Sequence, residues 1–560
     1  MNRNLIRCAA LATLVALGAC GEKQLTVGNP NSPDASKALA SPADLENFLG
    51  SYYKRWHTAM YGSLSNQEGM ATVMSFENFS TLSNNCMGQR VNIPRSANDN
   101  SIGNLCGPEQ TRVYSIENEV QRVASSVLKQ LNTSGYTLGS AAQDARAKAF
   151  AQFLRGLSIG YIALVYDSTA VVDETMDATD PGKLVGYPDA MAAAIDALQK
   201  AIDFENACTA AGSASDCTLP ATWIPSSTNF TAPEFIKLIR SYRARFRANV
   251  ARTPAERAAA DWTSIIADAQ NGITADHDNI TATTGGPFDT WVSQLDPSGS
   301  TNTWHQMSPF IIGMGDVSGA YAAWTALPID KRGPDFLMVT PDLRFPQGTT
   351  RAAQQADFAI SSCAGASTTC KRYYSNRSAG ADPGAQLTWG GSEYDFNRFH
   401  SWATKGDGTA RNGKVTFFTV AELNMLEAEG DIRKSNFSAA ATLINKTRVK
   451  NGLPAITAFD ATSPVPGGEG NCVPDVPTAL QGPLKCGNIM EAMKWEKRLE
   501  TQYTHFMAWY LDSRGWGDLP QGTPLQWATP YADLQVRIKP VYSLGGGSLP
   551  SSAAKGTYGW

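Results

Sequence analysis

Residues 142–166 read AQDARAKAFAQFLRGLSIGYIALVY, and after Lys148 the run is almost wholly apolar. A helix that is apolar on every side has no face to give to water, so other elements must enclose it. This segment therefore demands a helical interior large enough to surround it. The neighbouring sequence supplies the layers. Ser41-Pro42-Ala43-Asp44 opens a helix through Tyr61, with Ser as N-cap, Pro at the first helical position and Asp in the first turn. Residues 111–132 keep helical spacing through Val113, Ile116, Val120, Val123, Val127 and Leu128. Tyr187-Pro188-Asp189 leads into another helix, and residues 231–250 and 253–271 each begin on a Thr/Pro/Glu start signal. The pattern returns at 419–433, 438–450 and 489–510. Between about 274 and 410 it fails, and Gly, Pro, Ser, Thr, Asn and Trp accumulate. Small residues such as Ala149, Gly156, Ala428 and Ala440 sit at close-packing positions, which suggests tetratricopeptide-like hairpins without a strict repeat of about 34 residues. The expected fold is mostly α, a tetratricopeptide-like helical-hairpin scaffold with a large irregular, loop-rich lobe.

Composition narrows the function classes. With 42% hydrophobic and 18% charged residues, the 560-residue chain is neither a polytopic membrane protein nor a disordered one. A formal net charge of −4 disfavours nucleic acid as a partner. The first twenty residues, MNRNLIRCAALATLVALGAC, place Arg3 and Arg7 before a short apolar run that is too brief to span a bilayer. The run ends in Leu17-Gly18-Ala19-Cys20, which resembles the lipobox of bacterial lipoproteins. Residues 1–19 are then a signal peptide, Cys20 the acylated lipid anchor, and residues 20–40 a tether. Cleavage removes two positive charges and leaves −6.

Setting Cys8 and Cys20 aside, eight cysteines form four local couples: Cys86 with Cys106, Cys208 with Cys217, Cys363 with Cys370, and Cys472 with Cys486. Each couple lies in a Gly/Ser/Asn/Pro-rich stretch, with no CxxC spacing and no histidine beside it, so neighbour disulfides are expected and a zinc site is not. Bridges closing such short loops are worth about 2–3 kcal/mol each in the loop-closure picture.

Catalytic signals are weak. Gly156-Leu157-Ser158-Ile159-Gly160 matches G-x-S-x-G, but the elbow needs a strand, a strained turn and a helix, whereas this stretch is continuous helical pattern. The five histidines are scattered, and no phosphate-binding loop is present. Asp276-His277-Asp278 reads as a solvated loop before it reads as a cation patch. Arg498 beside Glu500, and Asp512 beside Arg514, read as structural ion pairs. No cofactor, metal or catalytic residue is expected. Binding has better candidates: Trp291, Trp304, His305, Trp389, Tyr394 and Trp402, with Phe396 and Phe399 between them, are interleaved with Asn, Ser, Gly and Asp in the aperiodic lobe. Flat rings stack on the C–H faces of sugars while short polar side chains take the hydroxyls.

A resemblance sharpens this. TVAELNMLEAEGDIRKSNFSAAATLINKTRVKNGLP, residues 419–454, resembles the C-terminal helical hairpin of the SusD/RagB family, and EAMKWEKRLETQYTHFMAWYLDSRGWGDL, residues 491–519, resembles that family's closing segment. Residues 27–56, the helix AFAQFLRGLSIGYIALVYD and the lipobox match in character and order. Lys497-Arg498 and Thr501-Gln502 depart from the denser Glu/Arg cluster usual there. The resemblance implies one SusD-like domain over 41–560, with its scaffold at about 41–273 and 415–520 and its ligand lobe at about 274–414. It also implies that the early loop at 76–106, with Phe76, Asn78, Phe79, Asn84 and Asn85, flanks the pocket. The implied function is non-enzymatic: an outer-membrane lipoprotein facing the cell exterior captures an oligosaccharide or peptide for a TonB-dependent SusC-like transporter. The rival readings are a glycan-degrading enzyme and a helical-repeat adaptor that binds only proteins.

Overall fold

The structure, a computed structural model, describes residues 41–61, 67–79, 87–177, 180–281, 306–358, 370–377, 389–399, 413–546 and 557–560. The chain divides into a unit of residues 1–48 and a unit of residues 49–560. Ser41, in the first, caps α1 (Pro42–Tyr61), whose residues from Leu49 on belong to the second: its hydroxyl accepts from the Asp44 N–H at 3.2 Å and donates to the Asp44 carboxylate at 2.5 Å.

The second unit carries the remaining elements. After α2 (Gln67–Met74) come β1 (Ala97–Asn98), α3 (Gly107–Leu131), α4 (Ala141–Val165), β2 (Ser168–Ala170) and β3 (Leu184–Gly186). Then follow α5 (Tyr187–Ala211), α6 (Ala232–Asn249), α7 (Pro254–Ala258), α8 (Trp262–Gln270) and β4 (His277–Thr281). The lobe contributes α9 (Pro309–Ile312), α10 (Ala320–Ala326), α11 (Arg351–Asp357), β5 (Tyr374–Asn376) and β6 (Tyr394–Phe396). It closes with β7 (Gly413–Phe418), before α12 (Val420–Arg433), α13 (Phe437–Arg448), β8 (Asp475–Pro477) and β9 (Leu484–Cys486). Last are α14 (Ile489–Thr501), α15 (Ala508–Trp516), α16 (Tyr531–Val536) and β10 (Leu544–Gly545). The chain is mostly α; strand among the described residues forms five two-stranded antiparallel ladders.

The apolar helix is central. Ser140 caps α4 by accepting from the Gln143 N–H at 3.2 Å, and every residue from Ala149 to Val165 is buried against α3, α5 and α6. The G-x-S-x-G run lies in mid-helix: Ser158 is buried, and its hydroxyl donates back to the Leu154 carbonyl at 2.9 Å. Its glycines are where neighbouring helices approach. A Cβ at Gly156 would stand 2.7 Å from Leu198 Cγ, and one at Gly160 would stand 2.1 Å from Phe246 Cε2. Gly160→Ala is therefore expected to destabilise by about 1–3 kcal/mol through overpacking, read as a lowered midpoint in urea unfolding. An unchanged midpoint would show that Phe246 yields freely.

Two boundaries differ from the periodicity. The stretch 253–271 is two helices, because Asp261 caps a second start by accepting from the Ser264 N–H at 3.1 Å. Residues 489–510 also break. Tyr503 and Met507 take positive φ (55° and 56°), and the intervening chain is pinned elsewhere: the Tyr503 N–H donates to Glu77 Oε1 at 2.8 Å and Gln502 Nε2 to the Glu77 carbonyl at 2.7 Å. Gly430 lies inside α12, which runs to Arg433, and admits α8, since a Cβ there would meet Ile266 Cγ1 at 2.8 Å.

The lobe leaves the scaffold through a neck of two strands. β4 pairs with β7, with His277 opposite Phe418 and Thr281 opposite Gly413. This corrects the reading of 276–278 as a solvated loop. Asp278 is buried and accepts from the Ser226 hydroxyl and from the Ser227 N–H and hydroxyl at 2.7–2.9 Å; Asp276 accepts from the Val420 N–H at 2.8 Å. The ion pairs of the last segment also differ in their partners. Arg498 pairs with Asp518 at 2.6 Å and Asp512 with Lys497 at 2.7 Å and Arg257 at 3.2 Å, while Arg514 donates to the carbonyls of Leu525 and Asn249. Residues two apart on a helix do not face each other, so the sequence neighbours were the wrong partners.

Candidate functional site

Four of the six aromatic and histidine candidates, Trp291, Trp304, His305 and Trp402, lie outside the described residues, as do Asn84 and Asn85. The other two take different positions. Tyr394, on β6, is fully buried: its hydroxyl donates to Gln354 Oε1 at 2.7 Å and accepts from the Met338 N–H at 3.0 Å. Its ring supports the lobe and offers no face to a ligand, which corrects the expectation. Phe396 and Phe399 are buried with it. Trp389 is half-buried and stands edge-on to Phe79 at 5.6 Å between centroids, packed on the cluster of Val73, Phe79, Met87 and Val91. The lobe and the early loop therefore meet here. Phe76 is interior, stacked on Phe310 at 4.3 Å, and Asn78 donates to the Tyr503 hydroxyl at 3.0 Å.

Beside this junction opens a cleft of about 330 Å³. Ile93 and Pro94 come from the early loop, Pro328 and Ile329 from the lobe, Leu480 and Gln481 from the turn between β8 and β9, with Gln521 and Trp560 completing it. Disulfide Cys472–Cys486 ties the β8–β9 ladder, and Cys208–Cys217 pairs as the spacing predicts. Cys106 and Cys370 are also disulfide-bonded; Cys86 and Cys363 lie outside the described residues. Sulfurs so engaged leave the grouping of Cys472, Asp475 and Cys486 without the thiolates a metal would need.

Trp560 was not among the sequence candidates. The tail Tyr558-Gly559-Trp560 turns inward on positive φ at Tyr558 and Gly559, and Trp560 packs on Phe76 at 4.8 Å and Phe310 at 5.5 Å. Arg332 holds it there. Its guanidinium donates to the Gly559 carbonyl at 3.0 Å while also donating to the Thr325 carbonyl at 2.8 Å. Lys494 Nζ reaches the Tyr558 hydroxyl at 3.3 Å. A glycine-flanked pair of rings in a polar tail was the signal available in sequence.

The lining is chemically simple: aliphatic and proline walls and two primary amides, over a Trp560 ring that is itself buried. Gln481 donates to the Ala326 carbonyl at 3.0 Å, which orients its amide; the Gln521 side chain has no hydrogen-bond partner among the described residues. Among the described residues no Asp or Glu side chain lines the cleft, so no pair of side-chain acids of the kind used in glycoside hydrolysis is seen there. Apolar faces with a few oriented amides suit a neutral, hydroxyl-rich ligand.

No family model matches the chain, and no curated protein matches it. Solved structures do. A SusD-like protein from Bacteroides fragilis superposes with a TM-score of 0.50 at 11% identity, covering 93% of this chain and 94% of that one. A SusD superfamily protein from Bacteroides vulgatus gives 0.48 at 12% identity over 86% and 89%, and a laminarin-binding SusD-like protein 0.46 at 12% over 90% and 99%. The likeness to the B. fragilis protein is one of fold, and that fold is the one residues 419–454 and 491–519 resemble.

Proposed function

We propose that this SusD-like chain is a nutrient-binding lipoprotein, anchored through Cys20 on the outer membrane and facing the cell exterior. It captures an oligosaccharide and delivers it to a TonB-dependent SusC-like transporter. Residues 1–19 are removed, 20–40 tether the protein, and 41–560 act as one binding domain with the lobe at about 274–414. The fold and the lipobox support this reading. The observation that carries it is the cleft itself, where early loop, lobe and the β8–β9 turn converge on apolar walls and two amides, with no Asp or Glu side chain in the lining among the described residues. An extended peptide would pair its backbone with an open strand edge, and among the described residues no strand lines this cleft, so saccharide is favoured over peptide.

The test is calorimetric titration with a panel of neutral oligosaccharides. A binder from that panel should lose about 5- to 30-fold in affinity in Gln521→Ala, the equivalent of one ligand hydrogen bond, with thermal stability unchanged. Absence of binding across the panel would overturn the saccharide reading, and release of shortened glycans would move the protein to the enzyme class.

A further inference from the structure

The β8–β9 hairpin ends in a turn that is unfavourable for the residue it carries. Asp475 stands opposite Cys486 and Pro477 opposite Leu484, and disulfide Cys472–Cys486 ties the base. Beyond the strands the Thr478 hydroxyl donates to the Pro483 carbonyl at 2.9 Å, and the Gly482 N–H donates to the Ala479 carbonyl at 3.0 Å. Residues 479–482 are therefore a β-turn, with Gln481 at its third position on a φ of 56°. That position favours Gly or Asn, because a Cβ on a left-handed residue crowds the carbonyl oxygen that follows it. Gly482 does not relieve the crowding. It serves a close approach instead, since a Cβ there would stand 2.9 Å from the Ala479 Cβ. Strain of this kind persists where the surroundings over-determine it, and it collects at ligand sites.

What the Gln481 side chain does lies beyond the turn. It is exposed, it lines the cleft, and its Nε2 donates at 3.0 Å to the Ala326 carbonyl at the end of α10, 155 residues away. A primary amide is planar, so committing an N–H to one carbonyl fixes the direction of its oxygen; the flipped amide would set Oε1 against another oxygen. Oε1 itself accepts no hydrogen bond among the described residues. Glycine would make the turn more easily but has no amide. Asparagine also tolerates this φ, yet its amide stops one methylene short of Ala326. Gln521, the other amide of the cleft, is engaged at neither end among the described residues, so it can turn to face a donor or an acceptor alike.

We propose that Gln481 determines specificity in the cleft by presenting a fixed acceptor: the saccharide held there donates a hydroxyl to Gln481 Oε1. The inference rests on the saccharide reading of the cleft. Replacing that one hydroxyl by a group that cannot donate costs about 5- to 30-fold in affinity, the equivalent of one hydrogen bond.

The experiment titrates the full-length protein calorimetrically with the tightest binder of a neutral oligosaccharide panel. It repeats the titration with the monodeoxyfluoro analogues of that binder, in each of which a fluorine that cannot donate replaces one hydroxyl. Gln481→Gly should melt with the wild type, because glycine takes the φ freely, and should bind the parent saccharide about 5- to 30-fold more weakly. Gln481→Asn should lose a similar factor. One analogue should be penalised by that factor in the wild type and in Gln521→Ala but bind Gln481→Gly as well as the parent does, a coupling that a purely structural role for Gln481 would not produce. If Gln481→Gly binds the parent like the wild type, or if every analogue keeps its penalty in Gln481→Gly, the inference falls while binding by the wild type leaves the proposed function standing. If the wild type binds nothing in the panel, both fall.

Discussion

Arg344→Met is expected to lower the unfolding free energy by about 3–5 kcal/mol, the usual cost of removing one member from a buried charge network. Arg344 is fully buried and serves three carboxylates: Asp342 at 2.6 Å, Glu496 at 3.0 Å and Glu500 at 3.1 Å. Trp495 adds an indole N–H to Asp342 at 3.0 Å, and Arg398 lies 3.7 Å from Glu500. Without the guanidinium, three acids face one another in a site that water does not reach. Burial already holds the Glu496 carboxyl above its usual range against the pull of Arg344. In the variant that upward shift grows, and a carboxyl raised in the folded state stabilises at low pH and loses that contribution as pH rises. The loss should therefore be larger at pH 8 than at pH 5, as read from urea midpoints at both. Arg344→Lys should recover little, because an ammonium cannot reproduce the forked geometry that reaches three partners. A loss below about 1 kcal/mol at pH 8 would show that the network is solvated after all.

The same residue shows why parts of the molecule were legible in sequence and others were not. The helices announced themselves through spacing and caps, and the pairing of Cys208 with Cys217 and of Cys472 with Cys486 followed from local loop closure. These features depend on residues close in the chain. Arg344 depends on residues 152 and 156 positions away, and nothing in the run Pro341-Asp342-Leu343-Arg344 marks it as the hub of α14. The break at 502–507 is of the same kind, since Glu77 imposes it. The site divides likewise. The early loop and lobe do meet, at Phe79 and Trp389, but among the described residues none of the aromatic candidates is in the lining of the cleft. Tyr394 misled because composition does not tell a ring that supports a lobe from one that faces a ligand; its partners Gln354 and Met338 decide that. Trp560 was overlooked because its importance lies in Arg332, whose guanidinium seats the tail from 227 residues away.

The pH dependence of stability is expected to be shallow between about pH 4.5 and 6.5 and steeper on both sides, because two sets of buried groups oppose each other. Glu205 is buried with neither carboxylate oxygen hydrogen-bonded among the described residues, and burial pushes it up to about 8; burial does the same to Glu77, also to about 8, and holds Glu117 well above its usual value. Raised in the folded state from an ordinary value of 4.5, these acids stabilise fully below 4.5 and lose that contribution as pH rises toward 8. His57, His277 and His505 run the other way. Burial lowers them from 6.5 to about 3, 4 and 3, so their contribution is complete above 6.5 and is lost as pH falls. These three of each kind oppose one another between 4.5 and 6.5, and Asp475, Glu491 and Glu496, which burial also raises, leave a gentle net fall as pH rises. Above 6.5 only the acids still titrate, and below 4.5 the histidines are joined by Glu422 and Glu429, which Arg245 and Arg257 hold at about 2 against their burial. Glu205→Gln isolates one member. Relative to the wild type it should gain on the order of 4 kcal/mol between pH 4.5 and pH 8, at about 1.4 kcal/mol per unit of removed shift. Unfolding free energies at pH 4.5, 6.5 and 8 decide it. If the curves of the wild type and the Glu205→Gln variant stay parallel, the Glu205 carboxyl ionises at its ordinary pH and is hydrated despite its burial.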